Sequence, residues 1–293
     1  MRKRYFGRVT LFILAAFFAL LFLMPTVLTI SNSFMTQSEI DANYGMIFES
    51  TRPGTGQFVA DSVNLKFIPD RVSFSQYATV LFMSPEYIQK FWNSVILVVP
   101  IVFLQLFVAT FAAYSFTRFR SRFKNVLFFT YIILMLMPVQ VTIVPNFLVA
   151  DRLGILDTRW AIIFPGMFAP FAVFLLTKFM RRIPSVLIEA ARLDGATEWQ
   201  IFCRVTLPQC RSALYSVAIL IFIDYWNMVE LPLILLGSPE RQPLSVYLSV
   251  INAGEVGIAF AVAVVYMLPP LMLFLHGEEA LVEGITHSGS VKG

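Results

Sequence analysis

The sequence predicts an all-α membrane protein with six transmembrane helices and both termini in the cytoplasm. Three observations predict this class: an apolar composition, six long apolar stretches and an uneven distribution of basic residues. Of the 293 residues, 58% are hydrophobic and only 14% are charged. A soluble domain has about a quarter of its residues charged. Lipid is therefore the expected solvent for most of this chain.

Each of the six apolar stretches is long enough to cross a bilayer, which takes roughly 20 residues. In order, they are Val9–Ser31, Ser94–Phe116, Val126–Ala150, Trp160–Thr177, Ala213–Gly237 and Gly257–Leu275. Basic residues precede the first stretch, as in a signal peptide. Its apolar run is too long for a signal peptide, however, and no small-x-small cleavage site follows. We expect it to be a retained helix.

The basic residues predict the orientation, because Lys and Arg concentrate in cytoplasmic loops. With the N-terminus inside, the cytoplasmic segments hold 15 of the 22 Lys and Arg residues. These are Arg2, Lys3, Arg4, Arg8, Arg118, Arg120, Arg122, Lys124, Lys178, Arg181, Arg182, Arg192, Arg204, Arg211 and Lys292. This topology explains the net charge of +4 without a nucleic-acid partner.

The spans divide the chain into four expected parts. Residues 1–31 form the N-terminal tip and first helix, and 32–92 form a polar external loop. Residues 93–277 form a five-helix core that includes a cytoplasmic loop at 178–212, and 278–293 form a cytoplasmic tail. The external loop is either a partly ordered cap or a platform for an extracytoplasmic partner.

The loop 178–212 has the pattern of two short amphipathic helices at an angle. Good helix formers occupy Val186–Leu193, Gly195 interrupts them, and a second helical stretch runs from Thr197 to Thr206. Thr197 is the predicted N-cap of the second helix, and Leu207-Pro208 stops it. The apolar side of such a pair must be covered by a partner protein or by the protein's own helix ends.

The same loop resembles the EAA loop of ABC-type importer permeases. The matching residues are Glu189-Ala190-Ala191, then Gly195 after three residues, then Val205-Thr206-Leu207-Pro208 after nine more. Other segments are similar to the carbohydrate branch, the MalG-like permeases. They are Asn93-Ser94, Ala112-Ala113-Tyr114-Ser115-Phe116, Met137-Pro138, Leu153-Gly154-Ile155-Leu156-Asp157-Thr158, Trp226-Asn227, Pro232-Leu233, Val282-Glu283-Gly284-Ile285 and Val291-Lys292-Gly293. His276-Gly277-Glu278-Glu279 departs from that branch's usual run.

This resemblance implies the MetI-like permease architecture in the inner membrane of a bacterium. It implies a pore made with a second homologous permease, two copies of a cytoplasmic ATPase and an external solute-binding protein. It assigns contact with the ATPase to the loop residues Glu189, Ala190, Ala191, Asp194, Gly195, Leu207 and Pro208. Gly195 is expected where a side chain would clash at the bend. The alternative is an ordinary helix–turn–helix that closes a loop.

No cofactor, metal site or catalytic residue is expected in this chain. No glycine is followed by lysine, so the phosphate-binding P-loop is absent. ATP and Mg are therefore expected in the partner ATPase. Cys203 and Cys210 are the only cysteines, and the only histidines are His276 and His287. We interpret the cysteines as reduced packing residues and assign no chemistry to the histidines.

Polar residues in the fifth stretch are candidates for the solute path. An ionised acid at the bilayer centre costs about 2.5–3.5 kcal/mol on insertion scales, so such groups face a bundle interior or a wet cavity. We hypothesise that Asp224, Tyr225, Trp226 and Asn227 border the path. The alternative is hydrogen bonding between helices. For Glu230, we favour an interfacial position.

Three other functions compete with an ABC permease for sugars. An ion-coupled secondary transporter would use Asp224 as a cation site but leaves the spacing in the loop unexplained. A membrane-embedded enzyme would need clustered His, Asp or Cys. An ABC permease for amino acids or peptides shares the loop but not the other segments.

The long external loop resembles the smaller permease of alginate-oligosaccharide importers, although no basic residue lies within a span to pair with a uronate.

Overall fold

The computed structural model describes residues 2–49, 64–119, 122–250 and 255–289. These residues form helices and connecting segments without β-strands, which confirms the all-α class. The principal helices are α1 (Arg2–Asn32), α2 (Gln37–Glu49), α3 (Pro85–Arg118), α4 (Arg122–Met135), α5 (Val139–Arg152), α6 (Trp160–Met167), α7 (Pro170–Met180), α8 (Ser185–Leu193), α9 (Glu198–Gln209), α10 (Arg211–Trp226), α11 (Glu230–Leu235), α12 (Leu244–Ser249) and α13 (Val256–Gly289). Parts of the predicted external loop and tail, 50–63 and 290–293, lie outside the described residues.

In the structure, four of the predicted spans are long and apolar enough to cross a membrane. They are Arg8–Asn32, Pro85–Arg118, Trp160–Met180 and Val256–Glu278. Within the described residues, two further pairs of helices pass the same test only when their two members are combined: Phe123–Met135 with Val139–Arg152, and Glu198–Gln209 with Arg211–Trp226. The total is six if each bent pair counts as one span.

The third predicted span is not a single helix. Its two parts, Phe123–Met135 and Val139–Arg152, meet at an angle of 103°. Pro138 stands between them with an extended backbone, φ −60° and ψ 143°. Proline lacks an N–H and disfavours a helical conformation in the residue before it. The span predicted over Val126–Ala150 is therefore made of two helices that meet at Pro138.

The fifth predicted span is also interrupted. Helix α10 ends at Trp226, where Asn227 Nδ2 donates a 2.7 Å hydrogen bond to the carbonyl of Ile223. An asparagine side chain that bonds to the backbone in this way competes with continuation of the helix. Pro232 lies in the first turn of α11, where proline is tolerated, but a continuous helix would make its ring clash with the preceding turn. The prediction of one helix over Ala213–Gly237 is wrong for these reasons.

The chain forms two compact units. The first comprises Met1–Gln89 together with Tyr247–Leu268. Its small core contains Met35, Ile40, Tyr44, Leu28, Val256 and Phe260. Within the same unit, Lys66 forms ion pairs with Glu39, at 3.0 Å, and with Asp70.

The second unit comprises Lys90–Val246 together with Pro269–Gly293. One of its two buried clusters joins α3, α7 and α10 to the loop helices α8 and α9. The other joins α3 and α6 to the end of α11. Both candidate functional sites lie within this unit.

A polar network fixes the connection between α11 and α12 in the second unit. Asp157 adopts φ 56° and accepts hydrogen bonds from the backbone N of Ser238 at 2.9 Å and from its hydroxyl at 2.6 Å. Arg241 Nη1 lies 3.1 Å from Asp157 Oδ2 and also donates to its carbonyl oxygen. The hydrogen bonds from Ser238 hold the pKa of Asp157 below its ordinary value, and the side-chain bond has a larger effect than the backbone bond.

We expect this connection to loosen in acid. Because the pKa of Asp157 is lower in the folded protein than in the unfolded chain, its stabilising contribution is complete above the unfolded value and is lost as pH falls through the folded one. The protection factors of residues 235–245, which correct hydrogen exchange for its intrinsic dependence on pH, should therefore fall as the pH is lowered through the acid range. The variant Asp157→Asn, which tolerates the positive φ, should exchange faster than the native protein at neutral pH and lack the acid dependence. An identical acid dependence in both proteins would contradict the assignment to Asp157.

Candidate functional site

Helix α8 ends in a glycine-dependent turn that sets the angle of the loop. Ala196 N donates to Ala191 O, and Gly195 N donates to Arg192 O, both at 3.0 Å. This pair of bonds is the Schellman pattern, whose turning residue has a left-handed backbone. Gly195 has φ +80°. The predicted bend is present, but the predicted clash is wrong: a Cβ on Gly195 would meet no atom within 4 Å. Glycine is favoured here by the backbone conformation.

Helix α9 begins with the predicted cap. The Thr197 hydroxyl accepts from Gln200 N at 3.3 Å, and Gln200 Oε1 accepts from Thr197 N at 2.8 Å. This reciprocal pair is a capping box, which satisfies donors that the first helical turn otherwise leaves unbonded. The cap predicted at Thr197 is confirmed. The turn between α8 and α9 is therefore fixed on both sides by hydrogen bonds.

The helix pair is anchored to the second unit by buried apolar side chains. Ile188 of α8 and Ile201 and Phe202 of α9 are buried in the cluster that includes α3 and α10. The Phe202 ring packs against Phe111 and Tyr114 of α3, with centroid distances of 5.0 Å in both cases. Such aromatic contacts add to the free energy gained by burial. A motion of the helix pair would therefore be transmitted to α3.

A charged network joins the two loop helices to α3. Arg192 contacts Glu198 Oε1 through Nε at 3.0 Å and Nη2 at 2.6 Å, and the Tyr114 hydroxyl donates to Glu198 Oε2 at 2.8 Å. The Tyr114 hydrogen bond, followed by Arg192, lowers the pKa of Glu198 from its ordinary value. Glu198 is therefore an ionised bridge between α8, α9 and α3.

The variant Tyr114→Phe should loosen the helix pair without unfolding the protein. It removes one hydrogen bond to a carboxylate, a contact worth about 1.5–3 kcal/mol, and leaves the ring in place. Hydrogen exchange of residues 185–209 should accelerate about tenfold or more. Tyr215→Phe is a matched control, because Tyr215 is exposed and makes no hydrogen bond within the described residues. Equal exchange in the two variants would contradict a bridging role for Tyr114.

The outer surface of α8 carries exposed apolar side chains beside two acids, Glu189 and Asp194. Leu193 is 89% exposed and Val186 is 69% exposed. Most of the residues predicted to contact the ATPase are exposed: Glu189, Ala190, Asp194, Gly195 and Pro208. Ala191 and Leu207 instead pack partly against the buried cluster. We call the exposed residues Val186, Glu189, Ala190, Leu193 and Asp194 the α8 surface.

A second candidate site is a cavity of about 520 Å³ beside the break between α10 and α11. It is lined by Val139, Ile223, Asp224, Tyr225, Asn227, Met228, Val229, Glu230 and Leu231. The breaks in the third and fifth spans create this site, because the lining residues come from the start of α5, the end of α10 and the start of α11. Glu230 accepts hydrogen bonds from Gln140 Nε2 at 2.9 and 3.2 Å.

The structure separates the four residues of the predicted solute path. Asp224, Tyr225 and Asn227 line the cavity. Trp226 is only 1% exposed, packs against Phe91 and Phe222, and does not belong to the cavity lining. At the end of α10, its side chain points into the helical core, so its large ring is a packing group.

Sequence patterns missed the contacts between distant residues. Tyr114 and Glu198 are 84 residues apart, and Gln140 and Glu230 are 90 residues apart, so no local periodicity relates them. Cys203 is half-buried and Cys210 is buried, and both are free thiols, as predicted. In the part of the chain that the structure describes, no group of three or more His, Cys, Asp or Glu side chains has the arrangement of a metal site.

Comparison with known proteins identifies the family of this chain. Residues 105–276 match the family described as binding-protein-dependent transport system inner membrane component. The chain belongs to this family. The match covers more than half of the sequence and includes the helix pair α8–α9 and the cavity. The predicted location in the inner membrane and the predicted permease class are confirmed, and the ion-coupled alternative is not supported.

Relatives of this permease extend the similarity over nearly the whole chain. The arabinooligosaccharides transport system permease protein AraQ of Halalkalibacterium halodurans is 27% identical over 92% of this chain and 98% of its own. The lactose transport system permease protein LacG of Rhizobium radiobacter is 29% identical over 69% of this chain and 74% of its own. A crystal structure of a bacterial ABC transporter involved in the import of the acidic polysaccharide alginate contains a chain that is 26% identical. That similarity covers 95% of this chain and 97% of the other, with a TM-score of 0.75. The predicted resemblance to the carbohydrate branch and the MetI-like fold are confirmed.

Proposed function

We propose that this permease forms one half of the translocation pore of an ABC importer for a sugar or oligosaccharide. The remaining parts are a second homologous permease, two copies of a separate ATPase that binds ATP and Mg, and an external solute-binding protein. The family description, a binding-protein-dependent transport system, supports the last of these. The solutes named for AraQ, LacG and the alginate importer are all saccharides. This supports a saccharide as the solute of this permease.

The α8 surface is the observation that carries the coupling role. An isolated leucine that is 89% exposed at a helix end forgoes about 1.5–3 kcal/mol of burial unless a partner covers it. The helix pair α8–α9 that carries this leucine is fixed by a Schellman turn, a capping box and the Glu198 bridge. It is therefore rigid enough to act as a lever. We place the ATPase on this surface, and therefore place loop 178–212 and both termini in the cytoplasm.

Transport follows from this placement by a mechanical argument. If the two states of the pore bind the ATPase dimer differently, closure of that dimer on ATP shifts the pore from one state to the other. The helix pair is docked to α3 and α10 through buried side chains, and α10 ends at the cavity. A displacement of α8 is thus passed to helices that border the cavity.

The cavity supplies a lining suited to saccharides. Carboxylate and amide groups of Asp224 and Asn227 can bond to hydroxyl groups. Tyr225 contributes to the lining, while its ring packs against the two buried clusters and its hydroxyl donates to the Gly166 carbonyl at 3.4 Å. We propose these three residues as part of the solute path and assign Trp226 to packing.

The complete importer in liposomes tests this function. With the solute-binding protein and ATP supplied, a labelled oligosaccharide should accumulate inside the vesicles, and uptake should continue in the presence of a protonophore. Uptake that needs no ATPase subunit and collapses with the protonophore would contradict the proposal and favour an ion-coupled transporter.

A further inference from the structure

The charge of the cavity lining distinguishes this permease from a carrier built for acids. Two carboxylates, Asp224 and Glu230, line the cavity, and no Lys, Arg or His is among its lining residues. The related importer of known structure acts on alginate, an acidic polysaccharide. An acidic solute in a partly desolvated site needs positive partners, and this half of the pore offers none in its cavity.

Asp224 is available to a ligand. It is exposed at the end of α10, and within the described residues its carboxylate has no hydrogen bond or ion pair. A carboxylate without a protein partner can accept hydrogen bonds from hydroxyl donors. A neutral saccharide, which presents many hydroxyl groups, can satisfy it.

Glu230, at the start of α11, is held in place by a residue of α5. Gln140 Nε2 donates to both of its oxygens, at 2.9 and 3.2 Å. Because Gln140 lies two residues after Pro138, the bend in the third span positions the donor. The amide donor brings no positive charge to Glu230, and Asp224 and Glu230 both line the cavity.

We propose that Asp224 and Glu230 select the solute by charge, so that the permease passes uncharged saccharides in preference to uronate-containing ones. This inference rests on the proposed function. The two carboxylates accept hydrogen bonds from sugar hydroxyls and repel a uronate carboxylate. At a separation of ~7 Å and an effective dielectric constant of ~40, the repulsion between two unit charges lowers the ratio of acidic to neutral solute in the cavity about sevenfold. Both acids together therefore discriminate by more than tenfold.

The test compares two labelled trisaccharides of the same linkage, one neutral and one containing a uronate. Uptake of each is measured in liposomes that hold the complete importer, with the same solute-binding protein throughout. The readout is the ratio of acidic to neutral uptake. Because the binding protein is unchanged, its own selectivity cancels when the ratio is compared between permease variants.

In the double variant Asp224→Asn and Glu230→Gln, this ratio should rise more than tenfold, with each single variant intermediate. Asp151→Asn, which removes an exposed acid outside the cavity lining, should leave the ratio unchanged. An unchanged ratio in the double variant would overturn the inference, including the case in which acidic uptake remains undetectable. Failure of the native importer to transport any saccharide would instead overturn the proposed function, and the inference with it.

Discussion

Leu193→Asp is expected to release the ATPase from the permease and to reduce transport by at least tenfold. Leu193 is 89% exposed in this chain, so the substitution removes no internal packing and should leave the fold intact. In the assembled importer, it would replace an apolar contact worth about 1.5–3 kcal/mol with a carboxylate that loses its hydration. A loss of this size weakens an interface about 10- to 100-fold.

Co-purification of the ATPase with the tagged permease measures this effect directly. Leu153→Asp is the matched control, because Leu153 is also exposed, at 64%, but lies in the connection between α5 and α6. The control should retain the ATPase at native levels. Full retention by Leu193→Asp, together with native rates of solute-stimulated ATP hydrolysis, would show that the α8 surface is not the docking site.

Gly195→Val should have a comparably large effect through the backbone. A left-handed conformation costs an ordinary L-residue about 1–2 kcal/mol, and a β-branched residue more. Valine must therefore open the Schellman turn or carry strain, and either outcome changes the angle between α8 and α9. We expect uptake to fall at least tenfold, with little loss of permease in the membrane because most of the buried anchor lies outside the turn.

Asparagine provides the control at the same position, because it tolerates a positive φ better than other non-glycine residues. A Cβ at this position meets nothing within 4 Å, so both side chains have room. Gly195→Asn should therefore retain most of the native uptake. Equal losses with valine and asparagine would show that a contact made by the glycine surface, and not the bend, is what matters.

The loop was predictable because its signals are local. A capping residue and a glycine after a short helix act within one or two turns. They correctly predicted α8, the start of α9 and the Thr197 cap. The stop predicted at Leu207-Pro208 is wrong, because the helix continues through Pro208 to Gln209. Glu189, Ala190 and the other assigned coupling residues lie where a partner can reach most of them, and their contact with an ATPase stays a prediction.

The bent spans and the cavity could not be predicted in the same way. Hydropathy measures the length of an apolar run and not its direction, so Ala213–Gly237 is interpreted as one helix, and a proline within Val126–Ala150 indicates a kink without giving its angle. Pro138 and Asn227 break them through backbone chemistry, and the breaks place Asp224 and Glu230 on separate helices that share one cavity. Burial of Trp226 likewise depends on Phe91, which is 135 positions away in the sequence.

A photoreactive amino acid incorporated at Leu193 of the assembled importer tests the coupling role most directly. Under illumination, this position should form an adduct with the nucleotide-hydrolysing subunit. The same label at Phe103, a 69% exposed residue of the second span, should not form that adduct. Capture of the ATPase from Leu193 alone is the result we predict. Absence of that adduct from an importer that is transporting solute would contradict the account.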